Sequence, residues 1–464
     1  MKTQLSDANY HGDLGDGLIC RWSTAADCEK IGTLMGTVFR RSPTAPLNIR
    51  AADEARIFMS DKFPWAGAGD IAVVEDTSKP DAPIVACTSV WHHQWSYGGI
   101  GFGVGRPENV ATAAGYRNRG LIRALFAMFH ARSAAEGHLA QAITGIPYYY
   151  RQFGYEYVLD LSSFRAIPIT RIPDKKPEEC DNYQLRLATL EDVPWLLALY
   201  NQLRTANLVW HETDERYWRY HIEGWEDPVV QQKGPTAVGF YGRVYLIVDE
   251  KQERCGYAWL GAKRWSESLG VYALQLASHV NWQAAFPALL RLLRQYGETL
   301  AVIEENSEPF RTVNFSYRPG DPISALLDER FEGSSEPPYA WYLRVADIPG
   351  FVRHVAPVLE ERLARSILTG HTGELRLSFY RSGLRLQFDN GKLLVSEPYQ
   401  APVDQEEEHG GCPPLVFLQL LFGYRSLSEL RAVFPDVWVK QEAVLLINTL
   451  FPKVPSCVYG LSFT

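Results

Sequence analysis

Residues 116–123 have the sequence Tyr-Arg-Asn-Arg-Gly-Leu-Ile-Arg, and this basic turn is the most informative feature of the chain. Residues 102–112, which precede it, are typical of a strand. After Gly120, apolar residues recur at helical spacing as far as Phe129. The predicted order is therefore strand, basic glycine-containing turn and amphipathic helix. Because free N–H groups at a helix start and nearby arginines attract anions, the turn predicts a cradle for the pyrophosphate of a cofactor.

Composition limits the classes of protein to consider. A chain of 464 residues with 46% hydrophobic and 22% charged residues is typical of a globular protein with two or three domains. The net charge of −8 argues against a nucleic-acid partner. No run reaches the ~18 apolar residues of a membrane helix, and residues 1–16 lack the apolar segment of a signal peptide. We therefore expect neither a membrane nor a nucleic-acid role.

The cysteines and histidines predict no metal centre. The chain has 7 cysteines and no C-x-x-C pair, which suits a reduced, cytoplasmic setting. No set of His, Cys, Asp and Glu residues has the spacing of metal ligands, so no metal is expected. His92 and His93 are adjacent on a predicted strand, so one of them faces inward and the other outward. Either a substrate pocket or ordinary packing would explain the inward histidine.

The pattern divides the chain into three regions. Residues 1–167 form the first domain, and the proline-containing stretch 168–182 is the best linker candidate. Residues 183–345 form a second domain. Residues 346–464 combine one amphipathic helix to about Ser366, three strands and two further helices, which predicts a small α+β domain.

The second domain begins with a copy of the start of the first. The matching residues share one constant offset and are Arg21 with Arg186, Thr24 with Thr189, and Asp27 with Asp192. This similarity predicts a duplicated strand, helix cap and helix start. Residues 278–283, Ser-His-Val-Asn-Trp-Gln, replace the basic turn in the second copy. We therefore expect no phosphate cradle there.

Residues 117–122 resemble the acyl-CoA pyrophosphate loop of the GNAT acetyltransferase superfamily, usually R/Q-x-x-G-x-G/A, with Ile122 in place of the last small residue. The run Arg-x-Arg-Gly-Leu-Ile-Arg is similar to the Eis (enhanced intracellular survival) branch, as is Tyr-Arg-Gln-Phe-Gly-Tyr at 150–155. The resemblance covers essentially the whole chain. It implies a mixed α+β architecture of two tandem GNAT-like domains, the second degenerate, and a C-terminal sterol-carrier-protein-like domain. Ala113-Ala114-Gly115 stands where the family usually has a proline.

The resemblance also implies a role for each matched position. The residues beside acetyl-CoA would be Val110, Ala111 and Thr112 along the pantetheine arm, Arg117, Asn118, Arg119, Gly120, Leu121 and Ile122 at the pyrophosphate, and Thr144 near the thioester. Tyr150 would be the general acid, since a positioned phenol of pKa about 10 can protonate or hydrogen-bond a departing thiolate of pKa about 8.5. The C-terminal carboxylate of Thr464 would be the general base.

We therefore expect an acetyl-CoA-dependent N-acetyltransferase that acts directly on a primary amine of the aminoglycoside, polyamine or lysine type. The resemblance implies a homo-oligomer, a hexamer in the Eis branch. A non-catalytic CoA-binding regulator and a lipid or small-ligand carrier acting through the third domain are the alternatives. Each predicted part of the site also has a structural alternative. The basic turn could be a solvated helix cap, and Tyr148, Tyr149 and Tyr150 could form a packed aromatic cluster. The chain end could simply pack on a domain surface.

Overall fold

The computed structural model describes residues 2–177, 182–233, 241–302, 308–317, 321–327, 335–336, 339–402, 406–456 and 458. Thr464, the predicted base, and residues 178–181 of the predicted linker lie outside the described residues. Helices and strands are numbered along the chain. The first region contains α1 Lys2–Leu5, β1 His11–Asp13, β2 Leu18–Trp22, α2 Cys28–Val38, α3 Ile49–Phe58, β3 Ile71–Asp76, β4 Ile84–Tyr97, β5 Ile100–Thr112, α4 Leu121–Ala135, β6 Ala140–Ile143, β7 Glu156–Asp160 and β8 Ser163–Pro168.

The remaining elements belong to the second and third regions. The second region contains β9 Gln184–Leu187, α5 Val193–Asn201, β10 Val209–His211, α6 Glu215–Glu223, α7 Pro228–Lys233, β11 Gly242–Val248, β12 Arg254–Gly261, β13 Ser268–Leu276, α8 Trp282–Thr299, β14 Thr312–Tyr317, β15 Ser335–Glu336 and β16 Ala340–Arg344. The third contains α9 Ile348–His354, α10 Ala356–Ala364, β17 Gly373–Ser378, β18 Gly383–Asp389, β19 Lys392–Tyr399, β20 Gly410–Gly411, α11 Pro414–Leu421, α12 Leu427–Val433, β21 Trp438–Val439 and α13 Gln441–Leu450.

The described strands form three mixed, mostly antiparallel sheets. The first sheet has the order β1-β2-β3-β4-β5-β6-β16-β7, with β10 added along β4. The second has the order β15-β8-β14-β13-β12-β11-β9, and the third β19-β18-β17-β20-β21. One strand pair in each sheet is parallel: β5 with β6, β13 with β14, and β17 with β20. The expected mixed α+β architecture is confirmed at this level.

The first two sheets exchange strands at the borders predicted between domains. β8 leaves the first region and pairs with β14 and β15 of the second sheet. In return, β16 enters the first sheet between β6 and β7. The second region therefore completes the first sheet beside β6, and the chain order of the strands does not reveal this.

The predicted repeat is confirmed at the level of local structure. Arg21 donates two hydrogen bonds of 2.8 and 2.7 Å to the carboxylate of Asp27. Arg186 donates two of 2.9 Å each to Asp192. In both copies that aspartate also accepts a bond from the backbone N–H of the threonine three residues earlier, over 2.8 and 2.9 Å. The motif therefore fixes a strand to the following helix twice in one chain.

The third region corrects one predicted helix. The sequence predicted a single helix to about Ser366, whereas the structure has two, α9 and α10, separated at Val355. Pro357 lies in the first turn of α10, where its missing N–H costs nothing, and it could not continue α9 without losing a backbone hydrogen bond. The turn at Asn390 and Gly391 is confirmed by positive φ angles of 45° and 79°.

The third region packs against the tip of the β4–β5 hairpin. One continuous hydrophobic core joins Tyr97 and Phe102 of the hairpin to Phe351 and Phe422. The Tyr97 hydroxyl also donates a 2.7 Å hydrogen bond to the carbonyl oxygen of Leu421. Among the described helices, none combines the length and the hydropathy needed to cross a membrane.

Candidate active site

The strand before the basic turn is bulged and then left open on one side. The register of β4 with β5 shifts between Cys87 and Ser89, and Asn109 opposite them has a positive φ of 55°. The Ser89 hydroxyl holds this bulge through 3.0 Å contacts to the Glu108 carbonyl and the Asn109 side chain. A bulge of this kind changes the direction of the residues that follow it. The bulge therefore determines the direction of the strand segment 110–112.

Beyond the bulge, β5 diverges from its parallel neighbour. Among the described residues, β5 pairs with β6 only through Val104 with Ala140 and Gly105 with Gln141. The segment 110–112 thus has β4 on one side and no ladder partner from β6 on the other. The hydroxyl oxygen of Thr112 is buried and has no hydrogen-bond partner in the described structure. An unpaired buried oxygen beside an open strand edge fits an extended polar ligand such as a pantetheine arm.

The basic turn leads directly into α4. Asn118 and Gly120 both have left-handed backbone conformations, with φ of 64° and 76°, and no side chain caps the first turn of the helix. Arg117 and Arg119 are exposed, and neither is in an ion pair with any described residue. The Arg119 guanidinium lies 5.2 Å from the ring centre of Tyr116. Free helix N–H groups next to uncompensated arginines are a favourable arrangement for binding an anion.

The equivalent helix of the second copy begins differently. The side chain of Asn281 caps α8 by accepting a 3.0 Å hydrogen bond from the N–H of Ala284. The residues between β13 and α8 contain no arginine or lysine. The second copy therefore keeps the helix, lacks the basic charge of the first, and has one first-turn donor already bonded.

Of the three consecutive tyrosines, the structure buries only Tyr150. Tyr148 is 74% exposed, and Tyr149 is half-buried. Tyr150 is 3% exposed in the turn Tyr149–Phe153, against Phe126 and Tyr342. Burial, and to a smaller extent the nearby Glu108 carboxyl, raises the pKa of Tyr150 far above the usual value for tyrosine. Its phenol is therefore protonated and can donate a hydrogen bond.

Glu108 is a candidate site residue that the sequence did not indicate. It lies on β5 at the bulge, and its carboxylate forms an ion pair with the buried Arg106. Burial raises the pKa of Glu108, although Arg106 acts in the opposite direction. The same carboxylate contributes to the raised pKa of Tyr150, so the two groups lie within electrostatic reach. The available signal was a glutamate inside a strand that is otherwise mostly apolar or small.

The chain end returns to the first sheet. Leu208, just before β10, donates a 2.8 Å hydrogen bond to the carbonyl oxygen of Pro455, and Val209 bonds the Ser456 hydroxyl at 3.3 Å. Val458 is 1% exposed. Pro455 and Ser456 therefore lie beside the start of β10.

The two adjacent histidines separate as predicted. His93 is buried, with its ring stacked on His211 of β10 at 4.9 Å. Burial lowers the pKa of His211 to about 3, so this ring is neutral. The His92 side chain is 33% exposed on the other face of β4. Of the other predicted residues, Ala111 is 2% exposed, and Thr144 follows the end of β6.

Comparisons with known proteins concern the fold and one domain of the chain. Residues 20–158 match the model of the acetyltransferase (GNAT) domain. No curated protein matches the sequence. Among solved structures, a GCN5-related N-acetyltransferase from Kribbella flavida has 19% identity and a TM-score of 0.62, covering 95% of this chain and 98% of that one.

Two further structures match over a similar length. A GCN5-related N-acetyltransferase from Anabaena variabilis has 16% identity and a TM-score of 0.64, covering 96% of this chain and 100% of that chain. Eis1 from Mycobacterium abscessus has 15% identity and a TM-score of 0.59 with the same coverage. Residues 20–158 thus match a GNAT acetyltransferase domain within a mixed α+β fold, and GNAT domains use acetyl-CoA as a cosubstrate.

Proposed function

We propose that this protein transfers the acetyl group of acetyl-CoA directly to a primary amine in its first domain. The observation that carries the proposal is the uncapped start of α4, with the unpaired Arg117 and Arg119, next to the open strand segment 110–112. In this arrangement, Arg117, Asn118, Arg119, Gly120, Leu121 and Ile122 bind the pyrophosphate. Val110, Ala111 and Thr112 line the pantetheine arm, and Thr144 lies near the thioester.

Tyr150 is proposed as the general acid. The amine nitrogen attacks the thioester carbon, the carbon–sulfur bond breaks, and the departing sulfur takes the phenolic proton. The buried position of Tyr150 supports this role, because it holds the phenol against Phe126 and Tyr342 and shields it from water. Tyr148 is too exposed to be shielded from water in the same way.

Two carboxylates are candidates to accept the proton of the attacking amine. The resemblance to the Eis branch implies the C-terminal carboxylate of Thr464, and the bonds of Pro455 and Ser456 to the backbone at Leu208 and Val209 support it. Glu108 is the second candidate, because it lies at the bulge within electrostatic reach of Tyr150. A variant extended beyond Thr464 tests the first candidate, and Glu108→Gln tests the second. Loss of turnover with unchanged acetyl-CoA affinity identifies the base.

The acceptor belongs to the primary amines, of the aminoglycoside, polyamine or lysine type that the resemblance implies. A homo-oligomeric assembly, a sterol-carrier-like third domain and a cytoplasmic setting are parts of the same proposal. The described cysteines are free thiols, which suits a reducing compartment.

The test is a thiol-release assay with acetyl-CoA and a panel containing one aminoglycoside, one polyamine and one lysine peptide, with mass spectrometry of each amine. Amine-dependent thiol release matched by acetylated amine is the expected result. Tight acetyl-CoA binding without transfer to any amine would instead support a regulatory protein. Lipid binding without any affinity for CoA would support a carrier and overturn the proposal.

A further inference from the structure

A group of potential metal ligands lies at the opposite end of α4 from the basic turn. Nδ1 of His92 is 3.2 Å from Oε2 of Glu136, and Nδ1 of His138 is 4.0 Å from the same oxygen. One ligand atom from each of the three residues lies within 4.8 Å of the others. These residues come from β4, the C-cap of α4 and the approach to β6, so their spacing along the chain gave no indication of the cluster.

We propose that His92, Glu136 and His138 bind a divalent transition-metal ion of the Zn²⁺ type. Two imidazoles and one carboxylate form a common three-residue donor set for this ion, with water completing the tetrahedron. Water has access, because the side chains of His92 and Glu136 are 33% and 26% exposed. The site is separate from the proposed acetyl-CoA site and does not depend on it.

The surroundings of His92 resemble those of a metal-bound histidine. Its second ring nitrogen, Nε2, lies 3.5 Å from Oδ2 of Asp70. A carboxylate at this position fixes the ring orientation and leaves the other nitrogen free for a metal. Asp70 is itself positioned by the N–H of Gly67, which donates a 2.9 Å hydrogen bond to it. The backbone N–H of His92 bonds the Trp65 carbonyl oxygen at 2.8 Å, which ties the strand to the same loop.

The backbone around His138 leaves room for its ring. A Cβ on Gly103 would lie 2.9 Å from Cδ2 of His138, and a Cβ on Gly105 would lie 3.1 Å from its Nδ1. Both glycines are on β5, directly under the ring. α4 ends immediately before the cluster, at Ala135. The partial negative charge of a helix C-terminus favours a cation at this position.

Three interactions compete with the metal. Arg132 pairs with Oε1 of Glu136 and lies 3.4 Å from Asp70. The Ser133 hydroxyl is 3.2 Å from Nδ1 of His138. A proton also competes at His92, because its carboxylate neighbours outweigh burial and raise its pKa to about 9. With neutral imidazoles, Asp70, Glu136 and Arg132 together carry one net negative charge, which still favours a dication.

Because Arg132 competes with the metal for Glu136, removing Arg132 and removing a ligand should change the Zn²⁺ affinity in opposite directions. Zn²⁺ is titrated into the metal-free full chain, with calorimetry for affinity and stoichiometry and with Co²⁺ absorption for a tetrahedral site. One ion per chain is expected. His138→Ala should weaken binding more than about 100-fold, and Asp70→Asn about 10–100-fold as expected for an outer partner. Arg132→Gln should bind more tightly than the unchanged protein, because it frees Glu136.

The exposed His279 provides the matched control, and His279→Ala should bind like the unchanged protein. Circular dichroism checks that each variant is folded. If His138→Ala does not fold, Glu136→Gln and Arg132→Gln still give opposite shifts in affinity. Equal Zn²⁺ affinity in His138→Ala and His279→Ala, or weaker binding in Arg132→Gln, would overturn the proposal and leave the cluster as an ion-pair network.

Discussion

Gly145 leaves the space that the ring of Tyr150 occupies. A Cβ on Gly145 would lie 3.1 Å from Cζ of the Tyr150 ring and closer still to its Cε2. Gly145 has an ordinary φ, so its role is the space it leaves for the ring rather than backbone freedom. The proposed acid therefore depends on a missing side chain in the loop that follows β6.

Gly145→Ala should displace Tyr150 and lower turnover. The added methyl group forces either the ring or the loop to move, at a cost of about 1–3 kcal/mol of stability. Steady-state kinetics and urea unfolding measure the two effects. Gly101→Ala is the control, because a Cβ there meets no atom within 4 Å. Equal behaviour of the two variants would show that the ring is not held by this contact.

Tyr150→Phe should lower kcat about 10²–10⁴-fold with little change in the affinity for acetyl-CoA. The substitution removes the hydroxyl and keeps the buried ring, so packing against Phe126 is retained. Tyr148→Phe is the matched control at an exposed position of the same turn. A full rate in Tyr150→Phe would leave the residue as part of a packed aromatic cluster.

If Glu108 is the base, it should set the acid limb of the pH profile of kcat/KM. A base must be deprotonated to accept the amine proton, and burial raises the pKa of Glu108 above its usual value of about 4.3. Activity should therefore fall as pH decreases through a midpoint above that value, and Glu108→Gln should abolish this limb. Glu54→Gln removes another buried glutamate of raised pKa and should leave the limb unchanged. If Glu108→Gln leaves the pH profile of kcat/KM unaltered, another group causes the acid limb.

The duplicated arginine–aspartate pair predicts a pH-dependent contribution to stability. Although burial opposes it, hydrogen bonding to Arg186 lowers the pKa of Asp192 to about 2, below the unfolded value of about 3.9. The pair should stabilise the fold fully above pH 4 and lose this effect as pH falls towards 2. Asp192→Asn should therefore cost the same stability from pH 8 to 5 in urea unfolding, and progressively less below pH 4. A constant cost at all pH values would contradict the ionic interpretation.

The sequence predicted local structure well and long-range partners poorly. The repeated cap at Thr24 and Thr189 and the turn at 116–123 could be predicted because their chemistry lies within a few neighbouring residues. The exchange of β8 and β16 between sheets could not, since strand pairing depends on contacts far apart in the chain. For the same reason Glu108 was missed, although it lies within reach of Tyr150.

The most direct test of a single acetyl-CoA site is a calorimetric titration of the full chain with acetyl-CoA. One site per chain is expected, and its affinity should fall at least tenfold when Arg117→Gln and Arg119→Gln are combined, because each charged hydrogen bond contributes about 1.5–3 kcal/mol. Arg216→Gln, which removes a 74% exposed charge elsewhere, should bind normally. Two sites per chain, or unchanged affinity in the double variant, would rule out a single site at the basic turn.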